Sequence, residues 1–360
     1  MASEPVARSE SFTASIPEFE RLIAEVMEEW KVPGLAIVVV QNGEVTFVKP
    51  YGLRDVEAGL KVTTDTQFQV MSVSKSFAAT GLALLVDEGR VDWKKPVREY
   101  IPEFRLYDAV GTERLTVRDF LCHHSGLPRH DWIWLPGDLS SAQMLAAMRY
   151  LEPSDDIRST FQYSNLGYLV ASMVAERVSG QGWAEFTRAL TDKLHMDVTF
   201  TVEELAAAAD AAVPYAMEGD TRLRSKLWPV SVTAAGGIST SIASLANWLR
   251  FHLGKGSRSK ACRRISMRLP NHGSIRCSAL SAPRRSLPIQ KPTSVTAAIW
   301  PITISNPTSC RCRLSKRSAM PKAITLRWRM NAPIMPRSGL CRMASAGGQI
   351  ARHRPGGCSA

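Results

Sequence analysis

Residues 67–89 decide the fold, and they read Gln67-Phe68-Gln69-Val70-Met71-Ser72-Val73-Ser74-Lys75-Ser76-Phe77-Ala78-Ala79-Thr80-Gly81-Leu82-Ala83-Leu84-Leu85-Val86-Asp87-Glu88-Gly89. The run of Ala, Leu and Val after residue 77 predicts a buried helix that ends at Gly89. Ser72 and Lys75 are three residues apart, so they lie on one face of this helix, with the ammonium beside the hydroxyl. In the first turn, Ser72 also lies in the positive field of the helix N-terminus, which favours a developing alkoxide. Because a buried lysine is costly without a partner, the pair predicts a functional site.

A helix and a hairpin precede this stretch. The capping-box pattern Ser15-x-x-Glu18 predicts a helix from there to about Trp30. Its apolar face consists of Phe19, Leu22, Ile23, Val26 and Met27. The turn Asn42-Gly43, between the apolar runs 35–40 and 45–48, predicts a β-hairpin. Together these elements predict a helix packed against the edge of a sheet.

Five further helices follow the central stretch. Their predicted ranges are 115–122, 141–150, 166–178, 183–194 and 241–253. Between them lie long connections rich in Pro, Asp and Trp, such as 126–139, which suit a substrate cleft better than a core. The residues up to 254 therefore predict an α/β or α+β enzyme.

Two other motifs carry functional side chains. In Tyr163-Ser164-Asn165, a phenol close to Lys75 has its pKa lowered by the positive charge and can take the proton of Ser72, while Asn165 donates to a substrate carbonyl. The alternative is structural, with the tyrosine ring packed and the asparagine capping the next helix. The small residues of 234–240 allow a backbone to approach a ligand, or form a tight turn. The Ser-x-x-Lys spacing also recurs at 257–260, so one copy alone is compatible with a solvated helix start.

The four blocks in this order resemble the serine β-lactamase and penicillin-binding-protein-like hydrolases. The pattern is most similar to the class C branch, which includes family VIII carboxylesterases and D-amino-acid-specific peptidases, and Tyr-x-Asn stands where other branches have Ser-Asp-Asn. The blocks are residues 71–77, 115–128, 161–168 and 235–238. The resemblance covers about residues 17–254 and implies an α+β fold, with an antiparallel sheet flanked by helices and an all-helical region.

The resemblance also implies a chemistry. Ser72 would be the acylated nucleophile, Lys75 and Tyr163 a coupled general base and acid, and Asn165 a substrate-binding residue. The backbone N–H of Ser72 would be one oxyanion donor. His123 and His124 are interpreted as structural. No metal and no organic cofactor are implied, and the expected partner is a small-molecule or short-peptide substrate.

Composition changes abruptly after Gly254. Residues 1–254 hold 24 Lys/Arg and 33 Asp/Glu, whereas residues 255–360 hold 21 Lys/Arg and no acid, so the net charge of +12 arises in the tail. Six of the seven cysteines also lie there, and Phe and Tyr are absent from it. We therefore predict a hydrolase domain over 1–254 and an aberrant C-terminal third over 255–360 that is out-of-frame translation or disordered. The rivals are a basic arm that binds phosphates and a metal site at Cys310-x-Cys312, which lacks a second pair.

The family's third motif, Lys- or His-x-Gly on a strand, has one candidate in the tail, His272-Gly273-Ser274, which we interpret as chance. Without the family's remaining strands and last helix, the sheet is expected to have an unpaired edge and the first helix a partly uncovered face. The chain as written is therefore expected to be poorly soluble or inactive.

The other expectations concern partners and location. No run of 18 apolar residues is present, which predicts no membrane span, and the first residues lack the pattern of a secretory signal. We predict a cytoplasmic carboxylesterase or peptidase that does not bind nucleic acid, and the oligomeric state stays open. The alternatives are a β-lactamase proper and a catalytically inactive descendant.

Overall fold

The computed structural model describes residues 10–254 and 295–301, with side chains from 15 to 254. The helices are α1 (Glu10–Glu29), α2 (Ser74–Asp87), α3 (Ala109–Arg114), α4 (Val117–Leu121), α5 (Ser141–Ala147), α6 (Leu166–Ser179), α7 (Trp183–Lys193), α8 (Val202–Ala207), α9 (Thr233–Gly236) and α10 (Ile242–Leu253). The strands are β1 (Gly34–Gln41), β2 (Glu44–Asp55), β3 (Leu60–Lys61), β4 (Phe68–Gln69), β5 (Val198–Thr199), β6 (Tyr215–Glu218), β7 (Thr221–Arg224), β8 (Ser239–Thr240) and β9 (Val295–Pro301).

The largest sheet is antiparallel, with the strand order β3-β2-β1-β9. The predicted hairpin is confirmed, and its turn has positive φ at both Asn42 (52°) and Gly43 (82°), as a type I′ turn requires. Alternate residues of β1 enter different cores: Leu35, Ile37 and Val39 face α1, whereas the side chains between them join the core that includes α10. Burial on both faces explains why this strand reads as a continuous apolar run.

Helix α1 packs on the sheet, but it begins earlier than predicted. It starts at Glu10 and runs through Pro17, so Ser15 lies inside the helix and is not its N-cap. A proline lacks the backbone N–H, so one bond of the helix is lost at that position. The packed residues are Phe19, Ile23 and Met27. Leu22 and Val26 are 49% and 40% exposed, which agrees with the expected partly uncovered face.

The prediction that the sheet lacks a partner at its edge is wrong for β1. Residues Val295–Pro301 pair antiparallel with Leu35–Gln41, which is all of β1 except its first residue. The sequence analysis did not predict this strand, because its seven-residue, mainly apolar run lies within basic, Pro-rich and Cys-rich sequence. Two candidates in the tail lie outside the described residues: His272-Gly273-Ser274 and the site at Cys310 and Cys312. The residues directly after the predicted domain boundary at 254/255 also lie outside them.

Helix α2 lies between two cores. Ala78, Leu82 and Leu85 pack into the helix-rich core, whereas Phe77 packs into the core beneath the sheet. The ring of Phe77 stacks on Trp248 of α10 with centroids 3.9 Å apart. This position explains the nearly all-apolar sequence of α2, and it holds the start of the helix between the two halves of the fold.

The remaining predicted helices are present, with shifted ends. Helix α6 ends at Gly180, whose φ of 77° is a left-handed C-cap. The helix predicted over 115–122 is only Val117–Leu121, because Thr116 is its N-cap and forms a capping box with Asp119. A three-stranded antiparallel sheet, β4-β8-β5, connects the segment before α2 with the segment after α9. None of the helices in the described ranges has the length and apolar content that a membrane span requires.

Candidate active site

Ser72 lies in a short 3₁₀ turn, Met71–Val73, that leads directly into α2. The sequence placed Ser72 in the first turn of the α-helix, and the structure places it just before that turn. Met71 has a φ of 44°, in the left-handed region that a side chain other than Asn or Gly rarely adopts. Such backbone strain is common at functional sites. The Ser72 side chain is exposed and lines an open cleft.

Lys75 is buried and has three hydrogen-bond partners. Its Nζ lies 3.1 Å from Ser72 Oγ, 2.8 Å from Asn165 Oδ1 and 2.8 Å from the carbonyl oxygen of Ala235. The amide oxygen and the carbonyl oxygen can only accept, whereas the serine hydroxyl can accept or donate. All three positions around the nitrogen are therefore occupied whether or not Lys75 is charged.

The protonation of Lys75 is finely balanced. Its pKa is lowered from 10.5 to about 7, mainly by burial; the charge of Arg129 contributes to the lowering, and that of Asp131 opposes it. A neutral amine has two N–H groups and one lone pair. If the two N–H groups donate to Asn165 and Ala235, the lone pair points at the hydroxyl of Ser72. This geometry is what a general base needs.

The phenol of Tyr163 contacts the same hydroxyl, with its oxygen 2.6 Å from Ser72 Oγ. The expectation that the charge of Lys75 brings the pKa of Tyr163 below its ordinary value is wrong. Burial raises the pKa of Tyr163 and outweighs the opposing hydrogen bond from Ser72 and charge of Arg129. Because the tyrosine stays protonated, it is suited to donate a proton, and the neutral amine of Lys75 is the stronger candidate base.

Asn165 immediately precedes α6, where the structural alternative made it a helix cap. Its side chain makes no capping bond and accepts from Lys75 instead. The residue is buried and also lines the cleft. Its amide is therefore fixed by the lysine and can present its NH₂ group toward a bound substrate.

Ala235 is the site residue that the sequence did not single out. Its carbonyl lies in α9, within the predicted block of small residues, and it accepts from Lys75. A Cβ on Gly236 would lie 3.7 Å from the carbonyl carbon of Met71, so the two segments are close. The small side chains indicated in the sequence that two backbone segments come close together here. The use of a backbone carbonyl as an acceptor has no such indication, because every residue has a carbonyl.

Two serines near Ser72 hold this arrangement. The buried Ser74 hydroxyl accepts from the backbone N–H of Ile238 at 3.1 Å. Ser76 Oγ donates to the carbonyl of Val73 at 2.7 Å and accepts from the indole N–H of Trp248 at 3.0 Å. The start of α2 is thereby joined to the segment after α9 and to α10.

His123 lies behind the tyrosine. Its Nδ1 accepts the backbone N–H of Ser164, and its ring centroid is 4.6 Å from that of Tyr163. Burial, reinforced by Lys75 and His124, lowers the pKa of His123 to about 4, so the imidazole is neutral. These contacts place His123 as a support for the Tyr163 ring. The backbone of His124 bonds Asp119 and Arg158.

The walls of the cleft are mostly apolar. Its lining consists of Met71, Ser72, Trp134, Asn165, Val230, Val232, Ala235 and Gly236. Trp134 comes from the predicted cleft connection 126–139, and its backbone carbonyl accepts from Ser231 Oγ at 2.7 Å. In the part of the chain that the structure describes, no group of three or more His, Cys, Asp or Glu side chains could hold a metal ion.

The sequence of this chain matches a known family model. The model of the family described as Beta-lactamase matches residues 19–286, about three quarters of the chain. Similar proteins include an unguisins hydrolase of Aspergillus campestris, 32% identical over 64% of this chain and 46% of the relative. Protein flp of Staphylococcus aureus is 25% identical over 68% of this chain and 50% of its own length. The chain thus spans about half the length of these relatives.

Solved structures with a similar fold agree. The octameric penicillin-binding protein homologue from Pyrococcus abyssi has a TM-score of 0.61 and 28% identity, covering 67% of this chain and 57% of that chain. A class C beta-lactamase from Rhodobacter sphaeroides has a TM-score of 0.57 and 25% identity, covering 68% of this chain and 67% of that one. The predicted α+β, β-lactamase/transpeptidase-like fold is confirmed.

Proposed function

The chain belongs to the beta-lactamase family, and on that premise we propose that it cleaves an ester or amide through an acyl-enzyme on Ser72. The observation that carries the proposal is the convergence of Lys75 Nζ and the Tyr163 hydroxyl on Ser72 Oγ, at 3.1 and 2.6 Å. A lone serine hydroxyl is a weak nucleophile, and a base within hydrogen-bond distance is what activates it.

Acylation begins with a proton transfer. The lone pair of neutral Lys75 takes the Ser72 hydroxyl proton as Oγ bonds to the substrate carbonyl carbon, whose π electrons move to its oxygen. When the carbonyl re-forms, the C–O or C–N bond to the leaving group breaks, and Tyr163 protonates that group. The proton held on Lys75 then returns to the Tyr163 oxygen, so the base and the acid are both restored.

Deacylation repeats these steps with water as the nucleophile. Neutral Lys75 accepts a proton from the water as its oxygen attacks the acyl carbon, Tyr163 donates a proton to Ser72 Oγ, and the proton on Lys75 then passes to the Tyr163 oxygen. The ester bond to Ser72 breaks, Oγ regains a proton, and a carboxylic acid leaves. Throughout, Asn165 holds Lys75 and orients the substrate, and the backbone N–H of Ser72 stabilises the oxyanion.

The substrate class follows from the cleft and from the family. A cleft with mainly apolar walls beside Ser72 suits a small molecule or the end of a short peptide. Two relatives are named hydrolases of unguisins, and from them we carry over only the reaction class, hydrolysis. A carboxylesterase or peptidase is our first choice and a β-lactamase proper the second. The cytoplasmic location stays a prediction.

A substrate panel tests the proposal. Release of the chromophore is followed with 4-nitrophenyl butyrate, a D-alanine 4-nitroanilide and a chromogenic cephalosporin, in wild type and in Ser72→Ala. Because the polar atoms around Ser72 all come from residues 72–235, we expect, against the expectation that the chain is inactive, turnover of the ester or the anilide, and we expect the substitution to abolish it. The exposed Ser159→Ala, whose hydroxyl bonds the carbonyl of Asp156, is the matched control and should keep wild-type rates. Folded protein that turns over none of the three would instead identify an inactive descendant.

A further inference from the structure

Arg129 is a cation that lies over the ring of Tyr163 and that the proposed reaction does not use. Its guanidinium carbon lies 5.3 Å from the centroid of the Tyr163 ring, and the hydroxyl of that ring bonds Ser72. The side chain of Arg129 is 54% exposed. A permanent positive charge thus lies over the ring whose hydroxyl contacts Ser72.

The neighbouring residues fix how Arg129 presents its donors. Asp131 Oδ2 accepts from Arg129 Nε at 2.5 Å, while Oδ1 accepts from the Trp134 indole N–H at 2.9 Å. Both carboxylate oxygens are therefore engaged, one by the arginine and one by a wall of the cleft. Among residues 10–254 and 295–301, neither terminal amino group of Arg129 has a hydrogen-bond partner. The outer edge of the guanidinium is left open.

The backbone around Arg129 is anchored. His130 has a φ of 46°, and its ring contacts the carbonyl of Glu152 at 3.2 Å. The Ser231 hydroxyl donates to the backbone carbonyl of Trp134 and holds that residue in place. A guanidinium whose Nε is already bonded and whose supporting loop is fixed loses less freedom on binding than a free arginine.

We propose that Arg129 is a specificity residue that binds a carboxylate carried by the substrate. The inference rests on the proposed function and narrows its substrate class to anionic esters or amides with an apolar body. The two terminal amino groups of a guanidinium match the two oxygens of a carboxylate, and the apolar walls of the cleft suit the rest of the molecule. Asp131 positions the arginine through Nε.

Matched pairs of esters test the inference. One pair carries the charge on the acyl side, mono-4-nitrophenyl adipate against its methyl ester. The other carries it on the leaving group, 4-carboxyphenyl butyrate against its methyl ester. For at least one pair we expect wild type to favour the anion in kcat/KM by about tenfold or more, and Arg129→Gln to remove that preference. Because each ratio is compared between wild type and Arg129→Gln, the intrinsic reactivity of the two esters and a general effect of the substitution on Tyr163 both cancel.

Arg129→Lys should keep part of the preference, because an ammonium supplies charge without the planar pair of donors. Arg177→Gln is the control, since Arg177 is half exposed and paired with Glu103. It should leave both ratios unchanged. A wild-type ratio near one in both pairs, or an unchanged preference in Arg129→Gln, overturns the inference.

Binding measured without turnover separates this inference from the proposed function. In Ser72→Ala, calorimetry should show tighter binding of the preferred anionic ester than of its methyl ester, and the difference should vanish when Arg129→Gln is added. If that difference is present but wild type hydrolyses no ester, the proposed function fails and carboxylate binding stands. If wild type hydrolyses esters with no such difference, only the inference on Arg129 fails.

Discussion

At the scale of single residues, the site depends on how burial acts on two groups of opposite charge type. Removal from water disfavours an ammonium and equally disfavours a phenolate, so it lowers the pKa of Lys75 and raises that of Tyr163. The lysine becomes available as a neutral base near pH 7, while the tyrosine remains a proton donor. The same desolvation therefore favours the two roles that we propose around Ser72.

The pKa of Lys75 predicts a pH profile. The base must be neutral, so kcat/KM for an uncharged ester should rise with pH through about 7 and level off above it. Lys75→Arg, which cannot lose its proton near neutrality, should lower kcat/KM by about 10²–10⁴-fold. Lys95→Arg, at an exposed residue paired with Glu99, should keep the wild-type profile. A rise centred near pH 10 would show that the pKa of the base is not lowered to about 7, and a wild-type rate in Lys75→Arg would exclude the lysine as the base.

Removal of the phenol tests the other partner of Ser72. Tyr163→Phe keeps the ring beside His123 but loses the 2.6 Å contact, so we expect kcat/KM to fall by about 10²–10⁴-fold. The rise near pH 7 should remain, because Lys75 is unchanged. Tyr150→Phe, at an exposed tyrosine, is the control. Steady-state rates across pH check both statements, and a near-wild-type rate would exclude Tyr163 as the proton donor.

At the scale of elements, the site is built where several segments meet the start of α2. Residues from the 3₁₀ turn, from the entry to α6 and from α9 supply its polar atoms, and α10 supports them through Trp248 and Ser76. The loop that carries His123 adds a neutral ring against Tyr163. The backbone of His123 is left-handed, with a φ of 59°.

The buried His123 makes stability depend on pH. Its pKa is about 4 in the folded protein and 6.5 as a free side chain, so the unfolded chain binds a proton that the folded protein does not. Stability from this group is full above pH 6.5 and declines as the pH falls toward 4, by about 3 kcal/mol in total.

His123→Asn keeps an acceptor for Ser164 and tolerates positive φ, but it cannot titrate in this range. Urea unfolding at pH 7, 6, 5 and 4 should therefore show a shallower decline in the variant than in wild type. His130→Asn, also at a left-handed residue, is the control and should follow wild type. Equal declines in wild type and His123→Asn would show that His123 does not resist protonation.

The sequence predicted more of the site than of its energetics. The order and spacing of the motifs located Ser72, Lys75, Tyr163 and Asn165, because a fixed chemistry needs fixed residue types. It could not indicate the carbonyl of Ala235, since every residue has one. It gave the wrong direction for the pKa of Tyr163, because burial is a property of the packed chain. The early start of α1 was missed because Ser15 and Glu18 also fit inside a helix.

At the scale of the whole molecule, two kinds of sequence are joined near Gly254. The body is acidic and patterned, whereas residues 255–360 have no acidic residue and 21 basic ones. The family match nevertheless extends to residue 286, and residues Val295–Pro301 form the strand beside β1. We keep the proposal of a hydrolase domain over 1–254 followed by out-of-frame translation, and the coding DNA decides it.

Resequencing across codons 245–270 gives the test at this scale. We expect a shifted frame to encode acidic, patterned sequence with a Lys- or His-x-Gly motif on a predicted strand, since the shift would account for the missing acids and the missing third motif together. If no frame does so, the basic tail is genuine and the frame-shift proposal is wrong. In that case the pairing of β9 with β1 is a feature of the natural protein.

The central claim is that Ser72 is a nucleophile activated by Lys75, and covalent labelling tests it most directly. Folded wild type is treated with a fluorophosphonate and, separately, with a penicillin, and intact-mass and peptide spectra locate the adduct. The account predicts one adduct per chain on the peptide that contains Ser72, lost in Ser72→Ala, kept in Ser159→Ala and slowed in Lys75→Arg. Folded wild type that forms no adduct with either reagent, or an adduct that persists in Ser72→Ala, would contradict it.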